Sequence, residues 1–127
     1  VFICENNRYA ISTPQRKQMN LDDLFSRASA YGFPGFSVDG MDLVQCYEAT
    51  EQAIKHARQQ GPVLLEMKVE RLMPHTTDDD DLRYRPRAEI EEARKRDPVV
   101  TLAALLIDQG ALTQERLRIT FVTHRIP

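Results

Sequence analysis

The feature that most constrains this chain is a strand–helix–strand pattern between Phe36 and Arg71. Phe36–Val38 is a short apolar run, and Asp42 is a predicted N-cap for the helix that follows it. Gly61 ends that helix, and "VLLEMKVER" then begins with consecutive apolar residues, as strands buried on both faces do. The helix presents one apolar face at 3.6-residue spacing, made of Leu43, Cys46, Tyr47, Thr50, Ala53, Ile54 and Ala57. This order predicts a βαβ unit and an α/β fold with a mostly parallel sheet flanked by helices.

The segment before this unit predicts one more strand and one more helix. Val1–Cys4 has the continuous apolar character of a parallel strand, and residues 5–19 are polar and predict a loop. Asn20 is the predicted N-cap of a helix that ends at Gly32.

The segment after it predicts a helical C-terminal part. A polar loop over residues 72–85 is followed by a charged helix from Pro86 to Lys95. Asp97 with Pro98 predicts the start of a second helix, and Thr113 the start of a third. The final "ITFVTHRIP" loses helical periodicity, so we expect it not to continue that helix.

Three predicted strands, two of them very short, cannot form a self-sufficient parallel sheet covered on both faces. Parallel strands need neighbours on both sides and helices above and below. We therefore expect the chain to be a piece of a larger α/β domain, entered in the middle of its sheet.

Composition excludes several function classes. A net charge of -2 gives no basic field for nucleic acid, and no apolar run approaches the length of a membrane span. Cys4 and Cys46 lie in apolar patterns without CxxC spacing, which is typical of buried free thiols in a reducing cytosol. With no signal peptide visible, we expect a cytoplasmic protein.

The stretch "ENNRY" at the end of the first strand is one candidate site. Ligands of open α/β sheets bind at the carboxyl ends of strands. Asparagine oxygens there suit a hard cation such as magnesium, without adding charge to a site that holds phosphates. A polar turn is the alternative, because asparagine tolerates turn geometry and bonds its own backbone.

A second candidate is "PHTTDDDD" in the loop after the last strand. His75 could transfer protons near neutral pH or donate to an anionic intermediate, with a solvated surface histidine as the alternative. Asp78–Asp81 lacks the alternating ligands, glycine and distal glutamate of a calcium loop, so we interpret it as a solvated loop held by arginines such as Arg83 and Arg85.

Five sequence motifs, which occur in this order, together point to a family: "FICENNRYAISTP", "YGFPGFSVDGMD", "GPVLLEMKVERL", "PHTTDDDDLRYR" and "EIEEARKRDPV". Together they resemble the alpha subunit of the thiamine-diphosphate-dependent decarboxylase component of 2-oxo acid dehydrogenase complexes. The resemblance covers residues 1 to about 118. The motifs are more similar to the branched-chain (2-oxoisovalerate) type than to the pyruvate type, which tends to have glycine and methionine where Ala10 and Ile11 stand.

The resemblance implies a role for each matching residue. Asn7 corresponds to a side-chain ligand of magnesium, and Tyr9 to a ligand through its backbone carbonyl. Ile11 falls where an apolar side chain packs near the thiamine ring. His75 corresponds to the active-site histidine, which bonds bound intermediates and assists acyl transfer to lipoamide. Thr76 stands where mammalian relatives carry a phosphorylated serine.

The resemblance also implies cofactors, partners and a domain division. Thiamine diphosphate and magnesium would be held in a cleft between alpha and beta subunits of a heterotetramer, which delivers acyl groups to a lipoyl-bearing acyltransferase. A further magnesium ligand belongs to a Gly-Asp-Gly segment upstream of residue 1. Residues 1–85, with the active-site loop 72–85, would be the C-terminal portion of the thiamine-diphosphate-binding α/β domain, and residues 86–127 its helical C-terminal segment.

The expected function is oxidative decarboxylation of a 2-oxo acid, preferably branched-chain, by a complex of which this chain is one part. The chain alone would hold cofactor poorly. Two alternatives remain open: a pyruvate or acetoin dehydrogenase alpha subunit, and a non-catalytic remnant that serves in assembly.

Overall fold

A computed structural model describes the backbone of residues 1–123 and the side chains of residues 1–118. Its main sheet has three parallel strands in the order β1-β5-β4. These strands are β1 Phe2–Asn6, β4 Gly35–Asp39 and β5 Leu64–Lys68. In register, Phe2 of β1 and Gly35 of β4 both lie opposite Leu64 of β5. The predicted parallel sheet of an α/β fold is therefore confirmed, with β5 at its centre.

The helix α1, Leu43–Gln60, covers one face of this sheet. Asp42 caps it, because its Oδ1 accepts a hydrogen bond of 3.0 Å from the Gln45 N–H, and Gly61 follows its end, as predicted. The core beneath α1 is formed by Ala49, Ala53, Val63 and Leu65, with Phe36, Val38, Ala57 and Met67 packed around it. The small alanine side chains let the helix lie close to the strands.

The predicted helix capped by Asn20 is wrong in its start and its type. A 3-10 helix spans Leu24–Tyr31, with Asp23 before it. The Asp23 side chain makes no cap hydrogen bond but pairs with Lys68, and a Glu66 carboxylate oxygen from β5 accepts the Phe25 N–H at 2.9 Å. A residue distant in sequence thus supplies the cap. Gly32 ends the helix in the left-handed region at φ 78, as predicted.

The polar stretch predicted as a loop over residues 5–19 contains a small hairpin. Strand β2, Tyr9–Ala10, pairs antiparallel with β3, Thr13–Pro14, and a 3-10 turn follows at Gln15–Lys17. The hairpin places residues 11 and 12 as a two-residue loop.

The C-terminal part is helical, with α2 Arg87–Lys95, α3 Pro98–Asp108 and α4 Gln114–Thr123. Asp97 caps α3, because its Oδ1 accepts the Val99 N–H at 2.9 Å with Pro98 in the first turn, as predicted. The expectation that "ITFVTHRIP" leaves the helix is wrong for its first five residues, which belong to α4; residues 124–127 lie outside the described part. The division at residues 85 and 86 stays a prediction.

Within residues 1–123, no helix is both long enough and apolar enough to cross a bilayer. At the β1 edge of the sheet, Val1, Phe2 and Ile3 are exposed. Phe2 stacks on Phe33, with ring centroids 5.7 Å apart. The β1 edge is therefore an apolar surface on the described part of the chain.

Gly35 gives a test of how closely the 3-10 helix lies on the sheet. A Cβ added at Gly35 would meet the Phe25 carbonyl oxygen at 2.5 Å and the Ala28 Cβ at 3.0 Å. We expect Gly35→Ala to lower the free energy of unfolding by about 3 kcal/mol, measured by urea unfolding, because backbone must move to admit the methyl group.

The matched control is Gly32→Ala, whose added Cβ meets nothing within 4 Å but sits at φ 78. Backbone strain alone should cost about 1 kcal/mol there. Equal losses in the two variants would contradict the close packing at Gly35.

Candidate active site

The paired asparagines lie at the carboxyl end of β1, and each has a different environment. Asn6 is buried. Its Nδ2 donates to Glu66 Oε1 at 2.7 Å and to Gln15 Oε1 at 2.8 Å, and its Oδ1 accepts the Arg8 N–H at 2.9 Å. Because both of its N–H groups and one oxygen lone pair are used, Asn6 is a structural residue.

Asn7 is half-buried, and its Oδ1 accepts the Tyr9 N–H at 2.9 Å. That oxygen keeps a second lone pair. We call residues 6–9 the asparagine turn. Its chain bends at Arg8, where φ is 66, and the Arg8 guanidinium pairs with Glu70.

The Tyr9 carbonyl can be placed from the register of the hairpin. The Gln15 N–H donates to the Arg8 carbonyl at 2.7 Å, and the next pair is Tyr9 with Pro14. Alternate pairs of an antiparallel ladder are not hydrogen-bonded, so Tyr9 points its N–H and C=O away from β3. Its N–H meets Asn7, which puts the Asn7 oxygen and the Tyr9 carbonyl on one side of the chain.

Neutral oxygens from an asparagine side chain and a backbone carbonyl are ligands that magnesium accepts. The asparagine turn therefore fits the magnesium ion that the resemblance implies. In residues 1–118 no group of three His, Cys, Asp or Glu side chains is placed to hold a metal, and Asp78–Asp81 forms no such cluster.

Ile11 occupies the first position of the hairpin loop at φ 55, with 57% of its surface exposed. Two-residue hairpin loops usually place glycine where φ is positive, and a β-branched residue there is strained. Arg71 Nη1 donates to the carbonyl of this strained residue at 3.0 Å. Such strain concentrates at functional sites. An isoleucine at position 11 does not indicate a positive φ, so this backbone geometry could not be expected from the sequence.

The loop of residues 72–85 is ordered by Asp79. Its Oδ2 accepts the His75 N–H at 2.9 Å and the Tyr84 hydroxyl hydrogen, while Arg71 Nη2 donates to the Tyr84 oxygen at 2.7 Å. The Tyr84 hydroxyl and the His75 amide hold the pKa of Asp79 below its ordinary value. Burial, and then the bond to Asp79, raises the pKa of Tyr84.

Tyr9 joins the asparagine turn to this loop and to α2. The guanidinium carbons of Arg71 and Arg85 lie 5.8 and 5.4 Å from the centre of its ring, and its hydroxyl donates to Glu89 at 3.0 Å. Arg85 is itself buried, and it bonds Asp81, Glu89 and the Arg71 carbonyl. This supports the expectation for Arg85, which bonds Asp81, whereas Arg83 forms no ion pair within the described residues. Arg71 reaches Asp79 through the Tyr84 hydroxyl.

The four residues singled out from the sequence are thus only partly brought together. Asn7, Tyr9 and Ile11 share the turn and hairpin, and Arg71 links them to the loop. His75 and Thr76 are exposed, and across the described residues no hydrogen bond joins the His75 imidazole to the asparagine turn. A cleft of about 570 Å³ borders the turn at Arg8, Tyr9 and Gln15.

Sequence patterns missed Glu66, Arg71 and Tyr84. Glu66 could have been noticed as an acidic residue inside an otherwise buried strand, where a carboxylate is costly. Arg71 and Tyr84 carry no local signal, because their partners lie in other elements.

These features define a class: an α/β protein with side-chain and backbone oxygens at the carboxyl end of a parallel strand, and a histidine-bearing loop that Arg71 links to them. The family model described as "Dehydrogenase E1 component" matches residues 1–120, and the chain belongs to this family. The resemblance drawn from its sequence motifs is confirmed.

Three relatives show how much of the family the chain covers. It is 47% identical over 116 residues to the 2-oxoisovalerate dehydrogenase subunit alpha of Bacillus subtilis (strain 168), covering 91% of this chain and 35% of that protein. It is 44% identical over 117 residues to the pyruvate dehydrogenase E1 component subunit alpha of Mycoplasma pneumoniae, with 91% and 33% covered. The corresponding Staphylococcus aureus (strain Mu50) subunit is 41% identical over 118 residues, with 91% and 32% covered. The chain spans about a third of the length of these relatives.

Ile11 gives a test of the strained hairpin. We expect Ile11→Gly to raise the free energy of unfolding by about 0.5 kcal/mol, because relief of left-handed strain outweighs the entropic cost of glycine. The midpoint of thermal unfolding reports the change. Ile11→Val keeps the branched Cβ and should bring no gain; a gain of the same size in both variants would show that the positive φ is not the cause.

The role of Asp79 in ordering the loop of residues 72–85 can be tested by its pH dependence. The pKa of Asp79 is lowered in the folded chain, so its carboxylate stabilises the loop fully above the ordinary carboxyl pKa near 4. This stabilisation disappears as pH falls through the lowered pKa. We expect the hydrogen-exchange protection factor of the His75 amide to fall over that acid range.

Asp79→Asn should remove this pH dependence and leave protection low throughout. Asp78→Asn, a change of equal charge at an exposed neighbour, should keep the wild-type profile. If both variants titrate like the wild type, Asp79 does not order the loop.

Proposed function

We propose that this chain is the C-terminal third of an alpha subunit of a thiamine-diphosphate- and magnesium-dependent 2-oxo acid dehydrogenase. Its reaction is oxidative decarboxylation of a 2-oxo acid, with transfer of the acyl group to lipoamide. The observation that carries the proposal is the asparagine turn, which puts the Asn7 Oδ1 and the Tyr9 carbonyl on one side at the carboxyl end of β1.

In this function the turn anchors the cofactor. Asn7 and Tyr9 would supply neutral oxygens to magnesium, and the bound ion would offset the negative charge of the diphosphate. Ile11 would support the ring of the cofactor with its exposed apolar side chain. The upstream Gly-Asp-Gly segment completes the metal site in the whole subunit.

His75 acts from the loop beside the turn. Its backbone is fixed by Asp79, while its imidazole is exposed and free to meet a substrate. An imidazole can donate a hydrogen bond to a substrate oxygen or exchange a proton near neutral pH. The chemistry available from thiamine diphosphate, when bound, is that of an electron sink for loss of carbon dioxide.

The branched-chain type is the preferred substrate class. Identity to the 2-oxoisovalerate subunit is 47%, against 44% and 41% for the two pyruvate subunits. Ala10 and Ile11 agree with this type. A pyruvate or acetoin dehydrogenase is the alternative within the same chemistry.

The function needs partners that complete the cleft. We propose a beta subunit in a heterotetramer and a lipoyl-bearing acyltransferase in a multienzyme complex. Residues 1–85 belong to the cofactor-binding domain and residues 86–127 to its helical C-terminal segment. The free thiols of Cys4 and Cys46 favour the cytoplasm.

A second candidate is a non-catalytic assembly module, favoured by the apolar β1 edge. Val1, Phe2 and Ile3 are each about half-exposed, and an open strand edge invites pairing with another chain. This candidate predicts an oligomer that buries the edge. A monodisperse monomer in solution scattering would count against it.

The test uses the alpha subunit that contains this chain, together with its beta subunit. We expect magnesium-dependent thiamine diphosphate binding by calorimetry, and faster turnover of 2-oxoisovalerate than of pyruvate. Asn7→Ala removes one metal ligand and should weaken cofactor binding by at least about tenfold.

The matched control is Asn20→Ala, at an exposed asparagine outside the turn, which should bind like the wild type. If the wild-type complex shows neither cofactor binding nor decarboxylation, the proposed function is lost. If Asn7→Ala and Asn20→Ala bind alike, Asn7 is not a ligand.

A further inference from the structure

Glu66 is a buried carboxylate in a strand of otherwise largely apolar side chains. It lies in the middle of β5 with 0% of its surface exposed, and none of the described cations forms a salt bridge to it. The nearby Lys68 pairs with Asp23. Burying a carboxylate is costly unless its oxygens are hydrogen-bonded, so the contacts of Glu66 should reveal what it does.

Each Glu66 oxygen accepts one hydrogen bond, from a different element. Oε1 accepts from the Asn6 side chain at 2.7 Å, and Oε2 accepts from the Phe25 N–H at 2.9 Å. Side chains alternate along a strand, so Glu66 faces away from α1, which Leu65 contacts. The carboxylate thus ties the asparagine turn to the first turn of the 3-10 helix.

Asn6 passes this restraint on to the turn. Its Oδ1 accepts the Arg8 N–H at 2.9 Å, at the residue of positive φ where the chain bends. Its second N–H bonds Gln15, whose own amide nitrogen donates to the Leu21 and Asp22 carbonyls at 3.0 and 3.1 Å. A connected set of polar contacts, of which the Asn6–Glu66 bond is buried, therefore links the turn to the segment just before the 3-10 helix.

Only a group with two acceptors on one side chain completes this set. Asn6 and Phe25 both present N–H groups to Glu66, so a glutamine there would have to direct its NH₂ group at one of the two donors. Aspartate is shorter by one methylene. The requirement is for a buried carboxylate of glutamate length.

We propose that Glu66 is a positioning residue for the metal-binding turn. It acts through Asn6 to fix the bend at Arg8, and so sets the direction of the Asn7 oxygen and the Tyr9 carbonyl. The role of these two oxygens rests on the proposed function, whereas the restraint on the turn does not.

The first test needs no cofactor. In the complex of the alpha subunit with its beta subunit, we expect Glu66→Gln to speed tryptic cleavage after Arg8 by about tenfold, because an unmatched buried donor changes an opening equilibrium by that order. Unchanged cleavage after Arg8 would overturn the proposal.

The second test measures magnesium. We expect Glu66→Gln to raise the magnesium concentration for half-maximal thiamine diphosphate binding by about tenfold, with recovery at high magnesium. Ala53→Gly is the matched control. Ala53 is buried, and glycine there destabilises α1, which lies on the opposite face of the sheet. It should lower the unfolding temperature but leave both the magnesium midpoint and cleavage after Arg8 as in the wild type.

The outcomes separate the two proposals. Wild-type protein that binds no cofactor overturns the proposed function, while the cleavage test still decides whether Glu66 holds the turn. Wild-type binding with the same magnesium midpoint in Glu66→Gln and Ala53→Gly overturns the positioning role, because loss of stability alone would then explain Glu66.

Discussion

Strand β5 is the constraint on which the rest of the structure depends, because it is buried on both faces and serves a different purpose on each. Leu65 packs under the alanines of α1, which fixes the helix to the sheet. Glu66, the next residue, accepts hydrogen bonds from the asparagine turn and the 3-10 helix on the other face. One strand therefore supplies apolar packing to one layer and polar anchoring to the other, with β1 and β4 held on either side.

The elements with strong local signals could be predicted from the sequence. Asp42 and Gly61 bound α1, and Asp97 with Pro98 begins α3, because caps and breakers act over a few residues. The start of the 3-10 helix could not be predicted, because its capping acceptor is Glu66, about forty residues away. The extension of α4 past Arg118 was also missed, since β-branched residues weaken a helical pattern without forbidding a helix.

The candidate site also has features that the sequence predicts and features that it does not. The position of Asn7 and Tyr9 at the end of a strand followed from the pattern, but the different roles of Asn6 and Asn7 depend on which side chain faces β5. Four adjacent aspartates look alike in sequence. Only the folded loop selects Asp79 for Tyr84 and Asp81 for Arg85, because the selection depends on where those partners lie.

Pro14 affects the register in which β2 and β3 pair. It stands opposite Tyr9 at a pair that needs no N–H donor, and it has none. Sliding β3 by one residue past β2 would bring Pro14 opposite Arg8 or Ala10, whose backbone groups point toward β3, and one ladder bond could not form there. The missing N–H of one proline thus protects the hairpin from this slipped register.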